Sequence, residues 1–210
     1  MSKLIVGVFG TQCVGKSTFI NDVIEHNTGW TLYGDDYRDI IKAKNLCINR
    51  NGNEECQQVI HDCLLNNIRN AVDELDKLMI MDRTVIDSFV YTYWLYKYAG
   101  CNIRITTLTK MFDQMCRYAK VFNALIFIPL SKCDNVKLVD DKFRDTNIEY
   151  RKEIDNIMEN VAYTLMSEGC NIMRIGGTRS ERVNHFYDVI VPILDEGVLG
   201  RVAKFEEFNS

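Results

Sequence analysis

No run of apolar residues in this 210-residue chain approaches the ~20 that a helix needs to cross a bilayer. The N-terminus also lacks the charged start, apolar core and cleavage site of a secretory signal. Both absences point to a cytoplasmic protein, of the cell or of an infected host, with no membrane partner. A basic excess is missing too: 25 Lys and Arg stand against 29 Asp and Glu, for a net charge of −4. A protein that grips a nucleic-acid backbone usually carries a surplus of cations, so nucleic acid is the less favoured partner. A small charged substrate needs only local arginines. The eight cysteines include no C-x-x-C pair and mostly fall in apolar runs, as expected of reduced, buried thiols. His26, His61 and His185 stand apart, with no partner at metal-ligand spacing, which argues against a zinc site.

What is present is an ordinary globular composition, 47% hydrophobic and 26% charged, long enough for one well-buried core. Its clearest signal lies near the start. Gly10-Thr11-Gln12-Cys13-Val14-Gly15-Lys16-Ser17 fits G-x-x-x-x-G-K-[ST] at every fixed position. The short apolar run Leu4 to Phe9 before it reads as a buried central strand, and a helix is expected after it. The physical reason for the spacing is that glycines let the backbone fold into a nest of inward N–H groups, with a helix N-terminus behind it adding positive charge. Gly10, Cys13, Val14, Gly15, Lys16, Ser17 and Thr18 are therefore candidate ATP contacts. Lys16 can reach the β- and γ-phosphates, and Ser17 can ligate the magnesium ion that travels with the nucleotide. The plainer reading, a glycine-rich turn between strand and helix, fits the position less well.

Three further stretches carry chemistry. A second strand, Trp30 to Tyr33, ends at Gly34-Asp35-Asp36, where a carboxylate can serve as magnesium partner, as base for a hydroxyl nucleophile, or simply as a helix N-cap. Residues 36 to 46 look helical, with Arg38 turned towards the acceptor side. Asn49-Arg50-Asn51-Gly52 marks a turn, and a long helix follows from Asn53 with Ile60, Leu64, Ile68, Val72 and Leu75 on one face. The third strand, Leu78 to Met81, ends in Asp82-Arg83-Thr84. An acidic residue at that tip is where a phosphate-loop enzyme orders its metal, and Arg83 would enter the same cleft. A surface Asp-Arg pair is the plainer alternative. Asp87 can also line the cleft, and Tyr91 is near enough to stack on a base.

The fourth strand is expected over Phe122 to Ile128 and the fifth over Asn171 to Ile175. Between them, Thr146 and Glu149 form a capping box that opens a helix, with Arg144 on its approach and Arg151 in its second turn. Two arginines so placed can close over a transferring phosphoryl group, although spacing alone favours a charged, solvated hinge. A second capping box, Thr178 and Glu181, starts the last helix, where Arg179 or Arg182 can stack on adenine or lie in solvent. Residues 1–195 thus form one domain, with a lid near 138–152, and 196–210 a tail that docks loosely or meets a partner, a second copy among them.

The strand–helix alternation implies an α/β fold with a parallel sheet covered on both faces. The chain resembles the P-loop kinase-like ATPases grouped with the nicotinamide riboside kinase domain of NAD salvage, which include phage-encoded members labelled thymidylate kinases. The likeness covers most of residues 3–190. It rests on G-T-Q-C-V-G-K-S-T, on D-x-x-R at Asp35 and Arg38, and on I-N-x-x-G-x-x-x-x-Q from Ile48 to Gln57. D-R-T-V-I-D-S-F-V-Y from Asp82 to Tyr91 and V-D-D-x-x-R with E-Y-R at Glu149 to Arg151 complete it. The resemblance implies a nucleoside-and-nucleotide-kinase fold with five parallel strands and an arginine-bearing lid. Lys16 and Ser17 would hold ATP and magnesium, and Asp82 would order the metal. Asp35 and Arg83 would face the acceptor, and Arg144 and Arg151 would belong to the lid. Lys142-Phe143 and Asp145 depart from the small residues and the Ser common in that family.

The leading expectation is transfer of the γ-phosphoryl group of ATP to a small nucleoside or nucleotide. A hydroxyl acceptor would use Asp35 or Asp36 as base, and a phosphate acceptor would be gripped by Arg38 and Arg83. The alternatives are a kinase acting on a modified nucleotide within DNA, disfavoured by the acidic balance, and an ATP-hydrolysing switch with no acceptor, disfavoured by the lid arginines.

Overall fold

Every residue of the strand β1 (Leu4–Phe9) is buried, because it lies at the middle of the sheet and is covered on both faces. The computed structural model describes residues 3–34, 37–44, 46–75, 78–133 and 145–195. Around β1, the strands β2 (Trp30–Tyr33), β3 (Leu78–Asp82), β4 (Ala124–Phe127) and β5 (Ile172–Arg174) complete a five-stranded sheet in the order β2-β3-β1-β4-β5. All pairings are parallel. The register sets Val8 beside Asp82 and Phe9 beside Phe127, so the C-terminal ends of β3, β1 and β4 open on the same edge. In open sheets of this kind that edge, where the chain order reverses, is where ligands bind.

Successive side chains of a strand point to opposite faces, and the two cores follow that alternation. Ile5, Phe9, Met79, Met81, Leu125 and Phe127 face α3 (Glu54–Asp73), α4 (Val85–Lys97), α5 (Ile105–Ala119) and α6 (Ile148–Ser167). Leu4, Val6, Val8, Ile80, Ala124 and Ile126 face α1 (Lys16–His26) and α7 (Arg179–Asp195). Burying apolar residues this way contributes roughly 1.5–3 kcal/mol per large side chain before chain entropy opposes it. Gly7 shows how closely α4 approaches: a Cβ there would lie 2.7 Å from Thr84 Cγ2 and 2.8 Å from Phe122. A short helix, α2 (Tyr37–Ala43), rests on α3 through Ile41 and Cys63.

Several expectations need correcting. The helix α3 ends at Asp73, and Leu75, beyond it, is 94% exposed rather than on the apolar face. Asn147, not Thr146, caps α6, its side chain accepting from the Tyr150 amide at 2.9 Å. Both residue types cap well, and Asp145 decides between them by accepting from the Asn147 amide at 3.0 Å. All eight cysteines are free, but only Cys56 and Cys63 are buried, and Cys47 is exposed. Asp35, Asp36, Arg144, the rest of the lid before residue 145 and the segment 196–210 lie outside the described residues, as does the Arg38 side chain.

Candidate active site

Leaving β1, the chain turns through Gly10 (φ 154°), Cys13 (φ 58°) and Gly15 (φ 86°). The left-handed residues on either side of Val14 give the concave backbone expected of an anion nest. Glycine is required at 10 by crowding as well as conformation, since a Cβ there would lie 2.7 Å from the Ile128 carbonyl oxygen. Gly15 occupies the N-cap of α1 and offers no side-chain acceptor, so the first amides of that helix remain directed at whatever anion binds.

The loop is held through its carbonyls. Lys16 Nζ donates to the carbonyls of Gly10 at 2.6 Å and Thr11 at 2.9 Å. Arg151, from α6, donates to those of Gln12 at 3.1 Å and Cys13 at 3.2 Å. Arg182, from α7, donates to that of Val14 at 2.8 Å. All three cations are buried. Five consecutive carbonyls are thus satisfied by charged donors, which contribute more than neutral ones. Burial, seconded by the Arg83 charge, lowers the Lys16 ammonium to about 8, against the opposing pull of Asp87 and Asp82.

Behind the loop, Ser17 Oγ donates to Asp82 Oδ2 at 2.7 Å. Asp82 stands at the tip of β3, and its Oδ1 is buried without a hydrogen-bond partner among the described residues. A buried carboxylate oxygen left unpaired is costly, so the arrangement suits a cation. Hydroxyl and carboxylate are hard oxygen donors of the kind magnesium prefers, leaving its other positions to water and phosphate. No cluster of three or more His, Cys, Asp or Glu side chains fit for a metal occurs among the described residues.

Arg83, the residue after Asp82, lines a cleft with apolar walls from Ile41, Ile48, Ile60 and Leu64. Its polar groups are Asn49, Gln57, Arg83, Asp87, Ser88 and Tyr91. Arg83 has a left-handed backbone (φ 78°) at the strand end, and its guanidinium lies 3.9 Å from Asp87 Oδ1 and 5.9 Å from the centre of the Tyr91 ring. The other Asp87 oxygen accepts from the Thr84 amide at 2.9 Å, while Thr84 Oγ1 accepts from the Ile86 amide at 3.2 Å, capping α4. Burial pushes the Asp87 carboxyl up, offset by Lys16 and Arg83. The Tyr91 hydroxyl donates to Gln12 Oε1, and Gln12 Nε2 donates to the Asp145 carbonyl at 3.1 Å. Gln12 therefore ties the phosphate loop to the cleft and to the start of α6.

Lys16, Ser17, Asp82, Arg83, Asp87 and Tyr91 are brought together as the sequence suggests. Tyr91 is mostly buried, its hydroxyl engaged by the loop. Arg182 lies under the loop rather than in solvent, and Arg151 is likewise buried against it. Sequence reasoning passed over Gln12, Gln57 and Ser88. Gln12 falls at an unspecified position of G-x-x-x-x-G-K-[ST], and Gln57 and Ser88, though spelled out in the motifs that carry the resemblance, carried no chemical role. The Thr84–Asp87 cap was available as T-x-x-D before an apolar run.

A family model described as an AAA domain, AAA_28, matches residues 5–182. No curated protein matches. Among solved structures, thymidylate kinase from Candida albicans is similar at TM-score 0.67 and 13% identity, over 92% of this chain and 93% of that one. The NadR protein in complex with NR is similar at TM-score 0.64 and 14% identity, over 89% of this chain, which spans only 51% of NadR. Deoxyadenosine kinase from M. mycoides with bound dATP is similar at TM-score 0.58 and 15% identity, over 91% of this chain and 100% of that one. With the family match running from β1 to the first turn of α7, over a sheet that sets its phosphate loop between the first strand and helix, the chain belongs to the AAA_28 family and has the fold of the P-loop nucleoside and nucleotide kinases.

Proposed function

We propose that the protein is a kinase that moves the γ-phosphoryl group of ATP to a small nucleoside or nucleotide, of the deoxynucleotide or nicotinamide riboside class. The observation that carries this reading is the cleft itself: Arg83 and Asp87 line it, and Asp82, which accepts from Ser17, directly precedes Arg83 at the end of β3. A switch that only hydrolyses ATP has no use for a half-apolar compartment there.

In this reading the amides of the loop from Gly10 to Thr18 bind the phosphate chain, and Lys16 turns from the Gly10 and Thr11 carbonyls to the β- and γ-phosphates. Ser17 and Asp82 hold magnesium, which when bound neutralises charge on the phosphates. Arg83, fixed by Asp87, faces the incoming acceptor. The bond from the γ-phosphorus to its bridging oxygen breaks as the acceptor oxygen bonds to that phosphorus. For a hydroxyl acceptor, Asp35 or Asp36 takes the proton; for a phosphate acceptor, no base is needed and Arg38 and Arg83 grip it. Arg151 keeps the loop in shape through Gln12 and Cys13, and Arg144 would add charge to the transition state.

The test is incubation of the purified protein with ATP, magnesium and a panel of nucleosides, their monophosphates, nicotinamide riboside and DNA, with products weighed by mass spectrometry. The expected result is one small acceptor heavier by a phosphoryl group. Phosphate release with no phosphorylated acceptor would defeat the reading.

A further inference from the structure

His61 is a histidine of α3 with no part in the mechanism above, yet it is only 2% exposed and reaches the cleft through one neighbour. Its Nδ1 lies 2.7 Å from Ser88 Oγ, and its Nε2 lies 3.2 Å from Gln114 Oε1. Ser88 itself lines the cleft, one turn along α4 from Arg83 and Thr84, and its hydroxyl also reaches the Val85 carbonyl at 3.0 Å. Burial holds the imidazole well below its ordinary range, at about 4, so at neutral pH it is uncharged and carries a single proton.

That single proton fixes what Ser88 can offer. If it sits on Nε2, donated to Gln114, then Nδ1 is a bare lone pair and the Ser88 proton points to it. If it sits on Nδ1, donated to Ser88, then the Ser88 proton turns to Val85. In both arrangements the hydroxyl proton is spent inward, towards His61 or the helix backbone, which leaves the oxygen of this cleft-lining residue a lone pair free to accept. A buried oxygen of this kind accepts a hydrogen bond and repels another lone pair. Where a site is built to pair with a substrate group, an analogue lacking that group leaves it unsatisfied, and discrimination is large.

We infer that Ser88 is a specificity-determining hydrogen-bond acceptor of the cleft, with His61 its positioning residue, and that the phosphoryl acceptor presents to Ser88 a hydroxyl or an N–H group of its sugar or base. An ester, ether or phosphate oxygen is rejected at that spot, so any phosphate the acceptor carries lies elsewhere, towards Arg83. This rests on the kinase reading and names the chemistry of its second substrate.

The experiment measures binding by calorimetry and turnover by product mass for adenosine, cytidine, thymidine, nicotinamide riboside and their monophosphates. The best acceptor is then compared with matched analogues in which one donor at a time is removed, as 2′-deoxy, 3′-deoxy, N-methyl or N,N-dimethyl forms. The wild type is expected to lose at least tenfold in kcat/KM for one of these analogues. Ser88→Ala should lose a similar factor on the parent acceptor and nothing further on that analogue, with the KM for ATP unchanged. Ser88→Thr, which keeps the oxygen, should restore the preference, and His61→Gln should weaken it without abolishing turnover. Should Ser88→Ala fail to fold, Ser88→Cys serves, its weaker acceptor blunting the same preference. Equal losses on every analogue, or none on any, would overturn the inference and leave the kinase reading standing. If no member of the panel binds or is phosphorylated by the wild type, both fall together.

Discussion

The two sides of the site are built from different materials. On the phosphate-loop side the side chains hold the backbone, Lys16, Arg151 and Arg182 each donating to loop carbonyls, so that in the proposed reading the main-chain amides make most of the cradle. On the acceptor side the walls are aliphatic, and single polar side chains such as Arg83, Asp87 and Ser88 are set among them. A phosphate chain is the same in every nucleotide and can be met by a fixed cradle. An acceptor differs from enzyme to enzyme, so its pocket is assembled from side chains, the part of the protein that substitution changes most easily.

The strongest way to break this contrast is Lys16→Ala, expected to lower turnover on the order of a thousandfold and to lower the thermal melt as well, since the Gly10 and Thr11 carbonyls lose their donor. Retention of more than a tenth of the activity would mean that the cradle does not depend on its charge. The acceptor side should instead be the acid-sensitive one. His61 is held at about 4 in the folded chain against 6.5 when unfolded, so the unfolded chain binds its proton more readily. The resulting stabilisation is complete above pH 6.5 and is lost as pH falls to 4, on the order of 3 kcal/mol in all. Desolvation causes the shift, with the Gln114 contact and the Asp62 charge opposing it and Lys110 assisting. Acid unfolding curves of the wild type and His61→Gln should diverge in that window, and parallel curves would refute the assignment.

Smaller effects sharpen the comparison. Arg151→Ala is expected to lower turnover roughly 10- to 100-fold, more than it weakens ATP binding, because a relaxed loop still offers amides but in poorer register. Unchanged turnover would make Arg151 dispensable. The smallest effect is expected from Arg50→Ala. Arg50, the neighbour of the cleft residue Asn49, pairs with Asp145 at the approach to α6, but its side chain is 50% exposed. Water screens such a pair, so the cost should stay below about 1 kcal/mol, a melting shift of no more than ~4 °C.

Much of this was legible in the chain because it is local. The strand before Gly10, the loop and the acidic tip of β3 each announce themselves within ten residues, and the structure joins them through the Val8–Asp82 register. What stayed hidden acts over distance. Arg151 and Arg182 stand out in the sequence as a lid arginine and an adenine contact, but their bracing of the loop does not, since their partners are carbonyls 139 and 168 residues away and a carbonyl has no sequence signature. His61 drew attention only as an isolated histidine, and its pairing with Ser88 joins two helices and leaves no spacing to read. The cap of α6 was misplaced by one residue because Thr146 and Asn147 are both good caps, and the choice was made by Asp145, a contact outside the capping-box pattern.

The bracing of the loop also has a bearing on biosynthesis. Residues 10–17 leave the ribosome before α6 and α7, which carry two of the cations that pin them. A nascent chain therefore carries the nucleotide-binding motif long before it can shape it, and grip on ATP should mature only once residue 182 has emerged and docked.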